Sequence, residues 1–308
     1  MAGQGVAALT DRSRSGVLAQ PRLAFSVFKP RIALEITLTA IAGAAVTPGA
    51  SLTLIELLAL AAAVFISAGA AGAYNQLMEQ DVDAVMLRTR LRPFPTGRLA
   101  PGAGWLAAIV VLLVVAVLLA ARVLNHMVAL QVFLGAFTYG YIYTSWLKRR
   151  TWLNIVIGGL AGSFAALAGS AAANPDLPAA AWAFAAAMFF WTPPHFWSLA
   201  YYNKRDYERA GIPMLPNLLS DRRIAIVILA HTVVLVALTL WPPLLEAGWL
   251  YGLGAVAGGV LFLRASIRFV RQPTRGRGLA TFHASLWQLG LLLLGAILGG
   301  VLAGRFTV

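Results

Sequence analysis

The side chains with the most chemical capacity stand in one stretch, Asn75 to Arg92, read NQLMEQDVDAVMLRTRLR. Asn75, Glu79 and Asp83 are four apart, so on a helix they project from one face within an arc of roughly 80°. Hard oxygen ligands at the end of an apolar segment suit Mg²⁺, which binds through one or two carboxylates plus substrate phosphates. Arg88 and Arg92 repeat the four-residue spacing and offer planar, bidentate donors for phosphate oxygens. Acid and base together point to a metal–diphosphate site; the rival reading is a helix end solvated by mixed charges. Asp81 lies off that face, and it either caps the helix end or takes a second metal once the chain turns.

A second cluster reads Phe190-Trp191-Thr192-Pro193-Pro194-His195-Phe196-Trp197, followed by Tyr201, Tyr202 and Asp206. Paired prolines remove backbone hydrogen bonds, which a membrane tolerates where protein or a wet cavity satisfies the freed groups. Trp191, His195, Tyr202 and Asp206 fall on one stripe of a continuous helix. The stripe is either a site wall with its own acid or an aromatic core helix with a hydrogen-bonded histidine. Tyr139, Tyr143 and Trp146 precede Lys148-Arg149-Arg150, partly as ordinary interfacial anchors, and Asn154 follows at the depth of a substrate head group. Glu35 is an acid inside an apolar segment and a secondary site candidate. Gly69 and Gly72 have no strand before them and no Gly-Lys-Ser/Thr after, so they read as helix-packing residues. His231 and His283 have no ligand-spaced neighbours and read as structural.

The elements that must hold these residues follow from composition. The 308 residues are 60% hydrophobic and 11% charged, too little polar surface to coat a soluble globule. Nine apolar segments are expected, at approximately 27–46, 53–76, 102–121, 126–146, 152–173, 179–201, 223–243, 249–267 and 283–304, giving an all-α polytopic membrane protein. The formal charge of +13 raises nucleic acid as a partner, but its placement argues for a lipid bilayer instead. Alternate loops collect 22 of the Lys and Arg residues and leave only Arg122 and Arg305 on the other side. The positive-inside rule then puts the N-terminus in the cytoplasm and the C-terminus outside. Residues 1–24 read as a flexible cytoplasmic tail, with a mitochondrial presequence as the rival, and 25–308 as one domain. No cysteine is present, which excludes disulfides and thiolate chemistry.

Asp83 after the second segment and Asp206 after the sixth suggest a four-plus-four pseudo-repeat, with the ninth segment outside it. Transporters use such repeats, but they hold ions near the midplane, whereas these acids lie at one face. The loop 203–222 reads as a cover over the cytoplasmic mouth of a central cavity.

With these residues read, the chain resembles the UbiA-type intramembrane prenyltransferases from Lys29 to the ninth segment, and within them the heme-farnesylating branch. The resemblance rests on Asn75 through Arg92-Pro93 and on Tyr143-Thr144 with Leu147-Lys148-Arg149 leading to Asn154. It also rests on Trp191 to Phe196, and on Asp206-Tyr207 with Ala210-Gly211-Ile212-Pro213-Met214-Leu215-Pro216. At Ser163-Phe164-Ala165-Ala166 the chain departs from the proline pair common in the family before Gly169. The resemblance implies a UbiA-like bundle, farnesyl diphosphate and heme B as substrates, and Mg²⁺ held by Asn75, Glu79, Asp83 and Asp206. It implies diphosphate contacts from Arg88, Arg92, Lys148 and Lys204, and aromatic shielding of a farnesyl cation by Tyr139, Tyr143, Trp191 and Phe196. His195 is then an iron ligand, a proton-handling group near the heme vinyl carbon, or a core residue. The inner (cytoplasmic) membrane is the implied location, with a heme-modifying enzyme or oxidase assembly factor receiving the product. The alternative acceptor is a small aromatic acid, against which the Pro-Pro-His segment argues.

Overall fold

A computed structural model describes residues 21–307, apart from 242, 243 and 245. The expected tail lies outside the described residues as far as residue 20, and a helical stretch, 21–27, follows. The long helices are α1 Pro30–Val46, α2 Leu54–Met78, α3 Ala103–Leu124, α4 His126–Leu147 and α5 Asn154–Ala173, followed by α6 Ala179–Tyr202, α7 Asp221–Thr239, α8 Trp249–Arg271 and α9 Arg275–Leu302. Seven of them are long and apolar enough to cross a membrane, so the chain is a multi-span membrane protein. α1 is shorter, at 17 residues, and α6 trades aliphatic side chains for aromatic, proline and histidine ones.

The ends of the bundle differ in chemistry. At one end Leu52 and Thr53 (β1) pair in parallel with Phe306 and Thr307 (β2). There Asn174 Nδ2 donates to the Pro48 carbonyl at 3.2 Å and Asn125 Nδ2 to that of Ala171 at 2.8 Å. At the other end gather the basic loops: Tyr201 OH donates to the Pro273 carbonyl at 2.8 Å, and Arg275 Nε to that of Tyr202 at 2.9 Å. Successive helices therefore alternate between an end nearly free of cations and a basic end.

Small residues let the backbones touch. A Cβ at Gly169 of α5 would collide with the Ala40 carbonyl of α1, and one at Gly43 with the Ala166 carbonyl, so only glycine permits this crossing. Phe28 and the stem of Lys29 lie over Gly69 and Gly72 of α2, a packing role for both glycines.

Two boundaries depart from expectation. α9 starts at Arg275 rather than near 283, because Gln272-Pro273-Thr274 makes the break and Thr274 caps the new helix by accepting from Arg277 N–H. Arg268 and Arg271 end α8, where cations suit the helix dipole, so the basic run is helical instead of loop. α6 continues through Pro193 and Pro194 without a break. α2, by contrast, does break at Glu79 (φ −110°, ψ 23°) before a six-residue helix, Gln80–Val85.

Candidate active site

The break at Glu79 turns the helix axis at the point where the oxygen-bearing residues lie. Asn75, Glu79 and Asp83 are all buried and line one cavity of about 440 Å³ that opens at the basic end. Lys29, Arg88, Arg92 and Lys148 line the same mouth, so cations outnumber the two carboxylates there.

Every acid at the mouth has a cation. Glu79 Oε2 meets Lys148 Nζ at 2.6 Å, and both Asp83 oxygens accept from Arg92, at 2.7 and 2.8 Å. Lys29 Nζ donates to Asn75 Oδ1 at 2.5 Å and reaches Tyr139 OH at 3.3 Å. Asn75 Nδ2 donates to Thr144 Oγ1 at 3.0 Å. Lys29 precedes Pro30 in the left-handed region (φ 50°, ψ 56°), a conformation that costs about 1–2 kcal/mol in a non-glycine residue and aims its side chain across Gly72 into the mouth. Burial, reinforced by Arg92, pushes the Lys29 ammonium down to about 7.

Tyr139 and Tyr143 stack with ring centroids 5.5 Å apart and both line the cavity. They are presented by wide turns, Thr138–Leu147, in which Lys148 N–H reaches back five residues to Tyr143. Gly158 leaves room for the Tyr143 ring. Trp146, by contrast, is exposed, as an interfacial anchor should be. Deeper in, Trp191, His195, Phe196 and Leu199 of α6 and Phe282 and Leu286 of α9 form an aromatic wall. His195 stacks on Trp191 at 4.2 Å and is buried.

Other expected site residues stand elsewhere. The α6 stripe ends at Asn203 (φ −101°, ψ 24°), and Tyr202, the last residue of α6, stacks under Arg275 at 4.2 Å. Asp206 sits on the six-residue helix beyond, Lys204–Arg209, where it accepts from the Arg88 backbone N–H at 3.4 Å and from the Arg209 guanidinium. Asp206 is buried but lies behind the cavity wall, which Tyr207 lines instead. Lys204 pairs with Asp221 at 3.4 Å on the surface. Asn154 donates to the Lys148 and Pro213 carbonyls at 3.2 and 3.3 Å, fastening two mouth loops together outside the cavity lining. Asp81 is exposed and paired bidentately with Arg149 at 2.7 Å; that guanidinium holds its carboxyl below the usual carboxylate range.

Among the described residues no three His, Cys, Asp or Glu side chains come together as a metal cluster. The donor set still fits Mg²⁺, because Glu79 Oε1 is buried with no hydrogen-bond partner among the described residues, in the cavity that Asp83 and Asn75 also line. A site supplying two carboxylates and one amide oxygen leaves most of the coordination to phosphate and water.

Sequence reasoning missed Lys29, Phe282 and Leu286. Lys29 stands at the start of the first apolar segment with nothing at ligand spacing to mark it, and the two α9 residues carry no polar signal and sit at or near an expected helix start.

Residues 36–290 match the UbiA prenyltransferase family. A protein of Paramagnetospirillum magneticum named protoheme IX farnesyltransferase 2 is 52% identical over 279 residues, covering 91% of this chain and 97% of that protein. One of Acidiphilium cryptum named protoheme IX farnesyltransferase is 40% identical, covering 89% and 85%. Among solved structures, one described with the biosynthesis of digeranylgeranylglyceryl phosphate synthase aligns with a TM-score of 0.75 over 92% of this chain and 99% of that one, at 15% identity. A UbiA homolog from Archaeoglobus fulgidus bound to GPP and Mg²⁺ aligns with a TM-score of 0.62 over 86% and 98%, at 17% identity. The structural likeness speaks for the fold, and the sequence matches go further: this chain belongs to the UbiA prenyltransferase family.

Proposed function

We propose that the chain transfers the farnesyl group of farnesyl diphosphate to a vinyl group of heme B, giving heme O, with Mg²⁺ carrying the diphosphate. The observation that carries this reading is one continuous cavity with carboxylates and cations at its mouth and an aromatic, histidine-bearing wall deeper in. The names of the farnesyltransferase relatives supply the acceptor and the prenyl donor.

In the reaction, the bond between farnesyl C1 and the diphosphate oxygen breaks and the leaving group departs with the electron pair. The vinyl π electrons then form the new carbon–carbon bond. Water captures the cation left beside the macrocycle and loses a proton. Asn75, Glu79 and Asp83 would hold Mg²⁺, which neutralises charge on the leaving group. Arg88, Arg92, Lys148 and Lys29 offer fixed donors to the same oxygens, where preorganised charge lowers the barrier most. Lys148 and Arg92 are already oriented by Glu79 and Asp83, so they exchange one anionic partner for another without crossing the cavity. The Tyr139 and Tyr143 rings, with Trp191 and Phe196, exclude water from the allylic cation and stabilise it by roughly 0.5–2 kcal/mol each. Asp206 acts through Arg88, whose backbone it holds, as the second acidic element.

The basic end faces the cytoplasm of an inner membrane, with α1 and α6 crossing alongside the other seven; the split of cations supports this orientation. Matching breaks support the pseudo-repeat: Glu79 and Asn203 share φ near −105° and ψ of 23–24°, and each precedes a six-residue helix.

The test is release of diphosphate from farnesyl diphosphate by purified protein with Mg²⁺, offered heme B or 4-hydroxybenzoate. Release that depends on heme B supports the reading; release that depends on the aromatic acid alone overturns it.

A further inference from the structure

His195 is anchored from α9. Its Nδ1 lies 2.7 Å from Ser285 Oγ, and Ser285 Oγ lies 2.6 Å from the Phe282 carbonyl three residues earlier. A serine hydroxyl has one proton for these two short contacts. Both are hydrogen bonds only if the hydroxyl donates to the carbonyl and accepts from imidazole Nδ1–H. Nε2 is then left as a bare lone pair, and among the described residues His195 has no second hydrogen-bond partner while lining the cavity.

The ring has little freedom to present anything else. Trp191 stacks on one side at 4.2 Å, Phe282 lies at 4.7 Å and Phe196 meets it edge-on at 5.0 Å. Trp191 is itself held by Ser285, since its indole N–H donates to the Ser285 carbonyl at 3.1 Å. One residue of α9 thus fixes both stacked rings of α6, through its backbone and its hydroxyl.

Resting on the heme reading above, we propose that Ser285 is a positioning residue: it locks His195 as the Nδ1–H tautomer so that Nε2 ligates the iron of the heme substrate. Imidazole ligands to metals characteristically donate the other ring N–H to a fixed acceptor, and removing that acceptor costs about 10–100-fold in metal affinity. Ligation by Nε2 would set the depth and face of the macrocycle, and so which vinyl group meets the farnesyl cation. A core histidine has no need of the arrangement, because its second nitrogen would be expected to find a partner as well.

The test uses the purified full-length chain titrated separately with ferric heme B and with metal-free protoporphyrin IX, in wild type, Ser285→Ala, Ser285→Thr and His195→Ala. Ser285→Ala should weaken heme B binding by about 10-fold and shift the Soret band of the bound heme, with protoporphyrin affinity within about twofold of wild type. Ser285→Thr keeps the hydroxyl and should restore both. In His195→Ala the histidine-ligated spectrum should vanish and return with added imidazole. Equal losses for heme B and protoporphyrin, a threonine variant as impaired as the alanine one, or an unchanged Soret band in Ser285→Ala each overturn the proposal. Wild-type protein that binds both porphyrins equally, yet still farnesylates heme B, overturns ligation and leaves the reaction standing. Wild-type protein that binds neither, with farnesyl diphosphate and Mg²⁺ present, overturns the heme reading and the proposal with it.

Discussion

At Asp83 both oxygens of a buried carboxylate accept from one guanidinium nitrogen, Arg92 Nη1, whereas two residues earlier Asp81 pairs with both terminal nitrogens of Arg149 in the open. The two acids therefore carry very different weight. Asp83→Asn removes one charge and one ligand at the cavity mouth, and turnover should fall at least about 100-fold while the chain stays folded. EDTA should reproduce that loss, and excess Mg²⁺ should reverse the EDTA effect but not the substitution. Asp81→Asn loses only an exposed ion pair, costing less than about 1 kcal/mol, with activity near wild type. Because Arg149 depresses the Asp81 carboxyl, its small stabilisation is complete above the ordinary carboxylate pKa of about 4 and fades only as pH falls through the lower folded value. A thermal melt of Asp81→Asn against wild type should thus differ at neutral pH and converge in acid. At this scale the four-residue spacing made Asn75, Glu79, Asp83 and Arg92 legible. It did not reveal which acid pairs with which base, because that depends on the break at Glu79, and no local residue type signals the break.

Between elements, the tightest crossing joins α1 and α5, where Gly169 and Gly43 bring each helix against a carbonyl of the other. Gly169→Ala forces a methyl into the Ala40 carbonyl and should cost about 1–3 kcal/mol, read as a lower melting temperature. Gly290 of α9 is the control, since a Cβ there meets nothing within 4 Å. Gly290→Ala should be neutral or stabilising by up to about 1 kcal/mol, from helix propensity alone. The departure at Ser163-Phe164-Ala165-Ala166 belongs here too: Ala166 offers its carbonyl to the crossing, and Ser163 Oγ donates to the Ala185 carbonyl of α6 at 2.8 Å. Helix existence was readable because each segment is long and apolar. The start of α9 was not, because Arg275 and Arg277 look like loop until Thr274 is recognised as a cap. That error hid Phe282 from the site.

Across the whole molecule, charge and contact agree: residues 79–100 and 203–222 lie at the basic end, and 174–178 at the end of the β1–β2 pair. Cysteines introduced at the exposed positions Thr96 and Asp176 should label from opposite sides of the membrane, Thr96 from the cytoplasm. Labelling of both from one side would contradict the proposed topology. The alternation of helices was legible because the sequence assigns 22 of its 24 cations to alternate segments, a stronger signal than hydropathy alone. The reach of the cavity from Lys29 to Phe282 was not, since it depends on how helices far apart in sequence pack. The central claim is that this cavity joins farnesyl diphosphate to heme B. It is tested most directly by incubating the purified protein with heme B, farnesyl diphosphate and Mg²⁺ and reading the product by mass. The account predicts a heme heavier by one farnesyl group and one hydroxyl, with that hydroxyl taking its oxygen from ¹⁸O-labelled water. Unmodified heme B beside farnesol alone would contradict it.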